Sequence, residues 1–131
     1  MIYEFTLTTR RQQMADITRQ VSQGVAQSGI QDGICVVYSP HTTAGITINE
    51  NSDPDVVSDL LFALDQTYPD RPEFQHVEGN SAAHLKAGVM GSSATLLIEK
   101  GQLVLGTWQA VYFCEFDGPR HRRFYVKVLG K

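Results

Sequence analysis

From Thr95 to Gly130 the chain reads TLLIEKGQLVLGTWQAVYFCEFDGPRHRRFYVKVLG, and along most of it apolar and polar residues alternate with a period of two. That is the pattern of strands with one face on a core. Two turn signals divide the run, Lys100-Gly101 and Asp117-Gly118-Pro119. The spacing predicts a β-meander of three or four strands joined by tight turns. So much half-buried strand needs a cover for its apolar side, and the upstream segments are read for what supplies it.

YEFTLTT, from Tyr3, alternates and predicts a strand. In MADITRQVSQGVAQSG the apolar residues Met14, Ile17, Val21 and Val25 recur at spacings of three and four, which predicts a helix ending at Gly29. GICVVYS reads as a short buried strand; Pro40 breaks it, and TAGITIN resumes alternation. SDPDVVSDLLFALDQTY reads as a capped helix, with Asp53 as N-cap, Pro54 at the first helical position, and an apolar face of Val56, Val57, Leu60, Leu61 and Leu64. The polar connection PDRPEFQHVEG leads to NSAAHLKAGVMG, a short helix opened by Asn80 or Ser81 and closed by Gly91. The expectation is one α+β domain over residues 1–131, mostly antiparallel strands with two or three helices.

Composition excludes several classes. A hydrophobic share of 42% with 19% charged residues is that of a globular chain rather than a disordered one. The formal net charge of −3 argues against nucleic acid as a partner, because phosphate binding along a duplex needs a basic excess. No apolar run reaches the ~20 residues of a membrane span, and MIYEFTLTTRRQQ lacks a signal-peptide core, so a cytoplasmic protein is expected. Cys35 and Cys114 lie inside apolar strand-like runs without CxxC spacing, as buried free thiols do.

Three polar islands interrupt this apolar chain. The first holds His41, Thr42, Thr43, Asn49 and Glu50; the second His76, Glu78, Asn80, Ser81, His84 and Lys86; the third Glu115, Asp117, Arg120, His121, Arg122 and Arg123. Asn80 and Ser81 stand where a helix begins, so they either cap it or offer free N–H groups to an anion such as phosphate. His84 is one turn in, where a histidine is a metal ligand, a general base or an ordinary surface residue. His76 is eight positions earlier and makes no helical i,i+4 pair with it, so spacing alone gives little support for a metal. The Asp117-Gly118-Pro119 turn would bring Glu115 and Arg120 together across a hairpin, either as an exposed ion pair or as an oriented phosphate-binding fork. Trp108, entering a strand, reads as a core or interface aromatic.

Together HTTAGITINEN, EGNSAAHLK and LGTWQAVYFCEFDGPR resemble, in this order and over nearly the whole chain, the YjbQ family, whose members are named secondary thiamine-phosphate synthase enzymes. The resemblance implies an α+β fold with a β-sandwich-like core, a homotrimer, and a pocket gathering the three islands. The implied activity joins a pyrimidine diphosphate to a thiazole phosphate and releases pyrophosphate, as a secondary role beside another. By position, the matching residues are His41, Thr42, Asn49 and Glu50, then His76, Asn80, His84 and Lys86, then Trp108, Gln109, Glu115 and Arg120. Ala82 stands where many members have an acidic residue. In this reading Glu50, His84, Glu115 and Arg120 are catalytic, while Thr42, Asn49, Asn80, Ser81, Lys86, Gln109 and Arg120 bind substrate. A divalent metal, Mg²⁺ on the diphosphate or Zn²⁺ on His41, His76 and His84, is the only cofactor expected. Two alternatives stand beside it: a hydrolase with histidine-bound Zn²⁺ and a glutamate base, and a non-catalytic trimer that binds a phosphorylated metabolite.

His41 and Glu50 pose a problem of reach. Nine residues of extended strand span roughly 30 Å at ~3.3 Å each, too far for one small pocket. Either the strand bends at Gly45, or its two ends serve pockets shared across a subunit interface, which is the reading preferred here.

Overall fold

The computed structural model describes all residues from Met1 to Lys131. Its elements are β1 (Ile2–Thr8), β2 (Gln13–Asp16), α1 (Thr18–Ser28), β3 (Asp32–Tyr38), β4 (Ala44–Glu50), α2 (Pro54–Thr67), α3 (Ser81–Met90), β5 (Ser93–Glu99), β6 (Gln102–Leu103), β7 (Gln109–Glu115) and β8 (His121–Gly130). The strands form two sheets, ordered β1-β8-β3-β5-β6 and β2-β7-β4. Every pairing is antiparallel. The expected α+β class holds, with three helices.

The two sheets face each other across one core. Cys35 and Val37 of β3, Leu96 and Ile98 of β5, and Phe124, Val126 and Val128 of β8 meet Ala44 and Ile46 of β4 and Val111 and Phe113 of β7. Val21 and Val25 of α1 close one side. Phe113 and Phe124 are fully buried, each contributing about 1.5–3 kcal/mol by burial. A second, smaller core lies on the opposite face of the three-stranded sheet, where Met14, Ala110, Tyr112, Cys114 and Phe116 pack under Ala83 and Ala87 of α3. Half-buried Val57, Leu60, Leu61 and Leu64 of α2 complete it.

β7 is therefore covered on both faces, which explains why AVYFCEF is apolar almost throughout. β8 has only one covered face and alternates accordingly. The expected meander does not form. β5 and β6 do make a hairpin through Lys100 and Gly101, both at positive φ, but β7 then joins the second sheet and β8 returns to the first. The doubly apolar β7 needs the central place in a two-faced sheet, and β8 pairs instead with β1 and β3. Asp117-Gly118-Pro119 is thus a crossover between sheets. A Cβ on Gly118 would stand 1.8 Å from the Arg10 carbonyl oxygen, so only glycine passes there.

The first helix starts later than its apolar spacing suggests. Met14 belongs to β2, opposite Cys114, and points into the second core, whereas Ile17, Val21 and Val25 point into the first. The spacing of three from Met14 to Ile17 joins two elements rather than two turns of one helix. Asp16 Oδ1 accepts from the Thr18 N–H at the true start, and Gly29 ends the helix in the left-handed region at φ 70°. Asp53 and Pro54 open α2 as expected, with Asp53 Oδ1 accepting the Asp55 N–H at 2.9 Å.

Candidate functional site

β3 ends beside β4 in a tight polar turn. Buried Ser39 donates its N–H to the Ser92 carbonyl and its Oγ–H to the Ala44 carbonyl, and its Oγ accepts the His41 N–H. This turn presents His41, Thr42 and Thr43 to a cavity of about 310 Å³ whose other walls are Glu78, Asn80 and His84 from the start of α3 and Asp117, Arg120 and Arg122 from the crossover into β8. Pro40 is the one apolar residue in its lining. His41 Nε2 lies 3.1 Å from both the N–H and the carbonyl oxygen of Arg123, so the ring is held on that residue's backbone in either tautomer. Burial, then the charges of Arg122 and Arg123, hold this imidazole below the ordinary histidine range, so it is neutral at pH 7.

Behind the cavity lies an ion pair. Arg122 donates from Nε to Glu115 Oε1 at 2.7 Å and from Nη2 to Oε2 at 2.5 Å, and Nη2 also reaches Thr43 Oγ1 at 2.8 Å. Thr9 Oγ1 and the Asp117 N–H donate to the same carboxylate. The expected Glu115–Arg120 pair is therefore replaced by Glu115–Arg122, because the crossover sends residue 120 to the rim and residue 122 into the interior. Arg120 is half exposed and is oriented by Asp117, donating from Nε to its carbonyl at 2.7 Å and from Nη2 to Oδ2 at 3.0 Å. Asn80 Nδ2 donates to the same Oδ2 at 2.8 Å. Burial alone would raise the Asp117 carboxyl, but the Asn80 and Arg120 hydrogen bonds hold it below the usual range.

The second island divides. His84 faces the cavity with His76 edge-on to it at 5.3 Å between ring centroids, while His41 is held across the cavity on the Arg123 backbone. These three do not gather into a ligand set, nor do any three histidine, cysteine or acidic side chains. Lys86 is buried on the far side of α3, paired with Asp65, and lines a separate cavity of about 430 Å³ that also includes Ala82. Ser81 lines neither cavity, and the Ala82 N–H already has Asp70 Oδ1 as acceptor.

Residues 3–131 match the family described as UPF0047 protein YjbQ-like. The chain belongs to this YjbQ-like UPF0047 family. It is 53% identical over 124 residues to the UPF0047 protein YugU of Bacillus subtilis, covering 94% of each chain. It is 47% identical to the UPF0047 protein MJ1081 of Methanocaldococcus jannaschii, over 99% of this chain and 95% of that one. A crystal structure of a YjbQ/UPF0047 protein from Clostridium acetobutylicum superimposes with a TM-score of 0.95 at 55% identity, covering 97% of this chain and 99% of the other. One from Sulfolobus solfataricus, described as YbjQ-like and of unknown function, gives 0.95 at 33% identity, covering 100% and 97%.

In this UPF0047 chain Asn49, Glu50, Trp108 and Gln109 lie at the other end of the second sheet. β4 keeps register with β7 from Ala44 opposite Glu115 to Glu50 opposite Gln109, so no bend at Gly45 returns Glu50 to His41. Gln109 Oε1 accepts the Gly106 N–H, Asn49 Oδ1 accepts the Glu50 N–H, and Trp108 is 60% exposed rather than core. Thr9, Thr43, Arg122, Glu78 and Asp117 are the cavity and support residues that motif spacing left without a role. Arg122 had a usable signal: it shares the inward phase of Phe124, Val126 and Val128 on β8, where a charge must find a partner.

Proposed function

We propose that this predominantly polar cavity holds the phosphate groups of a small substrate, and that this UPF0047 chain carries out transfer of the thiamine-phosphate synthase type. In that reaction the nitrogen of a thiazole phosphate attacks the methylene of a pyrimidine diphosphate. A C–N bond forms, the C–O bond to the diphosphate breaks, and pyrophosphate leaves with the bonding pair. The Arg120 guanidinium carries the reading: Asp117 aims it at the rim of a cavity lined, apart from Pro40, by polar side chains, beside two imidazoles. A fixed guanidinium stabilises a leaving diphosphate because it needs no reorganisation as charge develops. Neutral His41, held on the Arg123 backbone, adds a polar ring to the site without a competing charge.

Glu115 is not a carboxylate for the reacting cation, because it has no exposure and both its oxygens are engaged. Glu78 lines the cavity in its place. Glu50 enters the reading only through a second copy of the chain, as a homotrimer would provide. A Mg²⁺ carried by the diphosphate would find Glu78 as the nearest carboxylate without a guanidinium partner.

Calorimetric titration with inorganic pyrophosphate tests the anion site. Arg120→Lys keeps the charge and loses the fork, so affinity is expected to fall about tenfold or more, ~1.4 kcal/mol, with thermal stability nearly unchanged. Equal affinities would remove Arg120 from the site. Pyrophosphate release on mixing the two organic substrates tests transfer; binding without release would leave a non-catalytic binding protein.

A further inference from the structure

Asn80 stands at the N-cap of α3, yet its side chain caps nothing. The Ala82 N–H is received instead by Asp70 Oδ1 from the preceding connection, and Asn80 itself, at φ −114° and ψ 29°, lacks the extended backbone of a capping residue. The side chain turns the other way and donates from Nδ2 to Asp117 Oδ2 at 2.8 Å. Asp117, a carboxylate bound by Arg120, can only accept, so the amide presents its nitrogen and leaves Oδ1 buried without a donor. A forgone cap and an unpaired buried acceptor both cost stability, so the needs of the helix do not account for an asparagine here.

The reason lies at Asp117, whose backbone is pinned on both sides, its own N–H on Glu115 Oε2 and the Gly118 N–H on the Arg11 carbonyl. Its carboxylate is held by Asn80 and Arg120, and of these only Asn80 belongs to another element. The Arg120–Asp117 pair is i,i+3 with side chains 48% and 27% exposed, and an ion pair so open to water holds neither partner firmly by itself. Arg120 spends its Nε–H on the Asp117 carbonyl at 2.7 Å and one Nη2 proton on Oδ2 at 3.0 Å. The first bond acts as a hinge, and the second fixes the guanidinium plane about it. A carboxylate free to rotate would let that plane, and the donors it keeps for a ligand, turn away from the cavity.

We propose that Asn80 is a positioning residue: through Asp117 it fixes the plane of the Arg120 guanidinium, so that the start of α3 sets the aim of a phosphate fork carried by the crossover into β8. The inference rests on the phosphate reading for its ligand, but the ordering of Arg120 is measured without one. In nitrogen-labelled protein free of ligand, the arginine Nε–H signal that disappears in Arg120→Lys identifies Arg120, and its heteronuclear NOE is expected to be that of a rigid group. Asn80→Ser and Asn80→Ala, each checked for folding by backbone spectra, should lower that NOE sharply while Arg122, held by Glu115, keeps its own. Thermal stability should be nearly unchanged. Pyrophosphate calorimetry then gives a double-mutant cycle: Asn80→Ser is expected to weaken binding about fivefold in the wild type and less than about twofold in Arg120→Lys, because an ammonium has no plane to orient. A mobile Arg120 Nε–H in the wild type, an NOE unchanged in both folded variants, or an equal loss of affinity in the two backgrounds, as a direct contact of Asn80 with the ligand would give, would each overturn the proposal. An NOE that responds to Asn80→Ser in a protein that does not bind pyrophosphate overturns the phosphate reading and leaves Asn80 as the residue that orders Arg120.

Discussion

Glu115 is completely buried and Arg122 is 7% exposed, so each is the only acceptable neighbour for the other's charge. Breaking such a pair leaves a buried charge uncompensated, and Glu115→Gln is expected to cost about 3–5 kcal/mol in urea denaturation at pH 7. A loss below about 1 kcal/mol would mean that water reaches Arg122. The pair also sets an acid response. Burial alone would raise the Glu115 carboxyl, but hydrogen bonds from Arg122, Thr9 and the Asp117 N–H, with the Arg122 charge, hold it below its ordinary 4.5. A carboxyl lowered by folding contributes stability in full above its unfolded pKa, and the contribution is lost as pH falls through the folded value. The wild type should therefore lose stability below about pH 4.5 more steeply than Glu115→Gln does, as measured by melting temperature against pH. The pairing was within reach of the sequence only as phase. Motif spacing and the glycine-proline turn drew Glu115 toward Arg120, whereas the inward parity of Arg122 with Phe124 and Val126 named the true partner.

Among the elements, α2 carries its cap in plain view and its packing out of view. Asp53 and Pro54 fix where it begins, and removing the side-chain acceptor with Asp53→Ala should lower stability by about 1 kcal/mol without altering pyrophosphate affinity. An unchanged urea midpoint would show that the cap contributes nothing. No residue of α2 is fully buried and Phe62 is 65% exposed, although the apolar face predicted from Val56 to Leu64 is half covered by the second core. Local patterns such as this cap, the αL stop at Gly29 and the alternation of β8 depend on neighbours in the chain, and all were legible. Sheet membership was not, because it depends on which strand is covered twice. AVYFCEF already showed the continuous apolar run of a doubly covered strand, but the turn signals on either side suggested a simple meander.

At the scale of the molecule, the motif residues fall into two groups at opposite ends of the second sheet, His41 and His84 at one end and Asn49, Glu50 and Gln109 at the other. The β4–β7 register is continuous between them, so a single copy of this fold does not bring Glu50 to the cavity. Exposed Phe62, Val77, Val89 and Trp108 leave apolar surface that a second copy would cover. A closed cyclic assembly answers both, because a head-to-tail interface sets one end of one copy against the other end of the next. Sedimentation equilibrium is expected to give three times the 14.6 kDa chain mass. Mass alone does not join the two groups, and subunit mixing does. Homogeneous Glu50→Gln and homogeneous His84→Ala assemblies should each lose substrate turnover or binding at every interface. Unfolded together and refolded at equal amounts, they should recover it at about one interface in four, where Glu50 from a His84→Ala copy meets His84 from a Glu50→Gln copy. Recovery in the mixture, with none in either parent, is the signature of a site built by two chains; a mixture as inactive as its parents, or a chain that sediments at 14.6 kDa, would confine the site to one copy and leave Glu50 outside it.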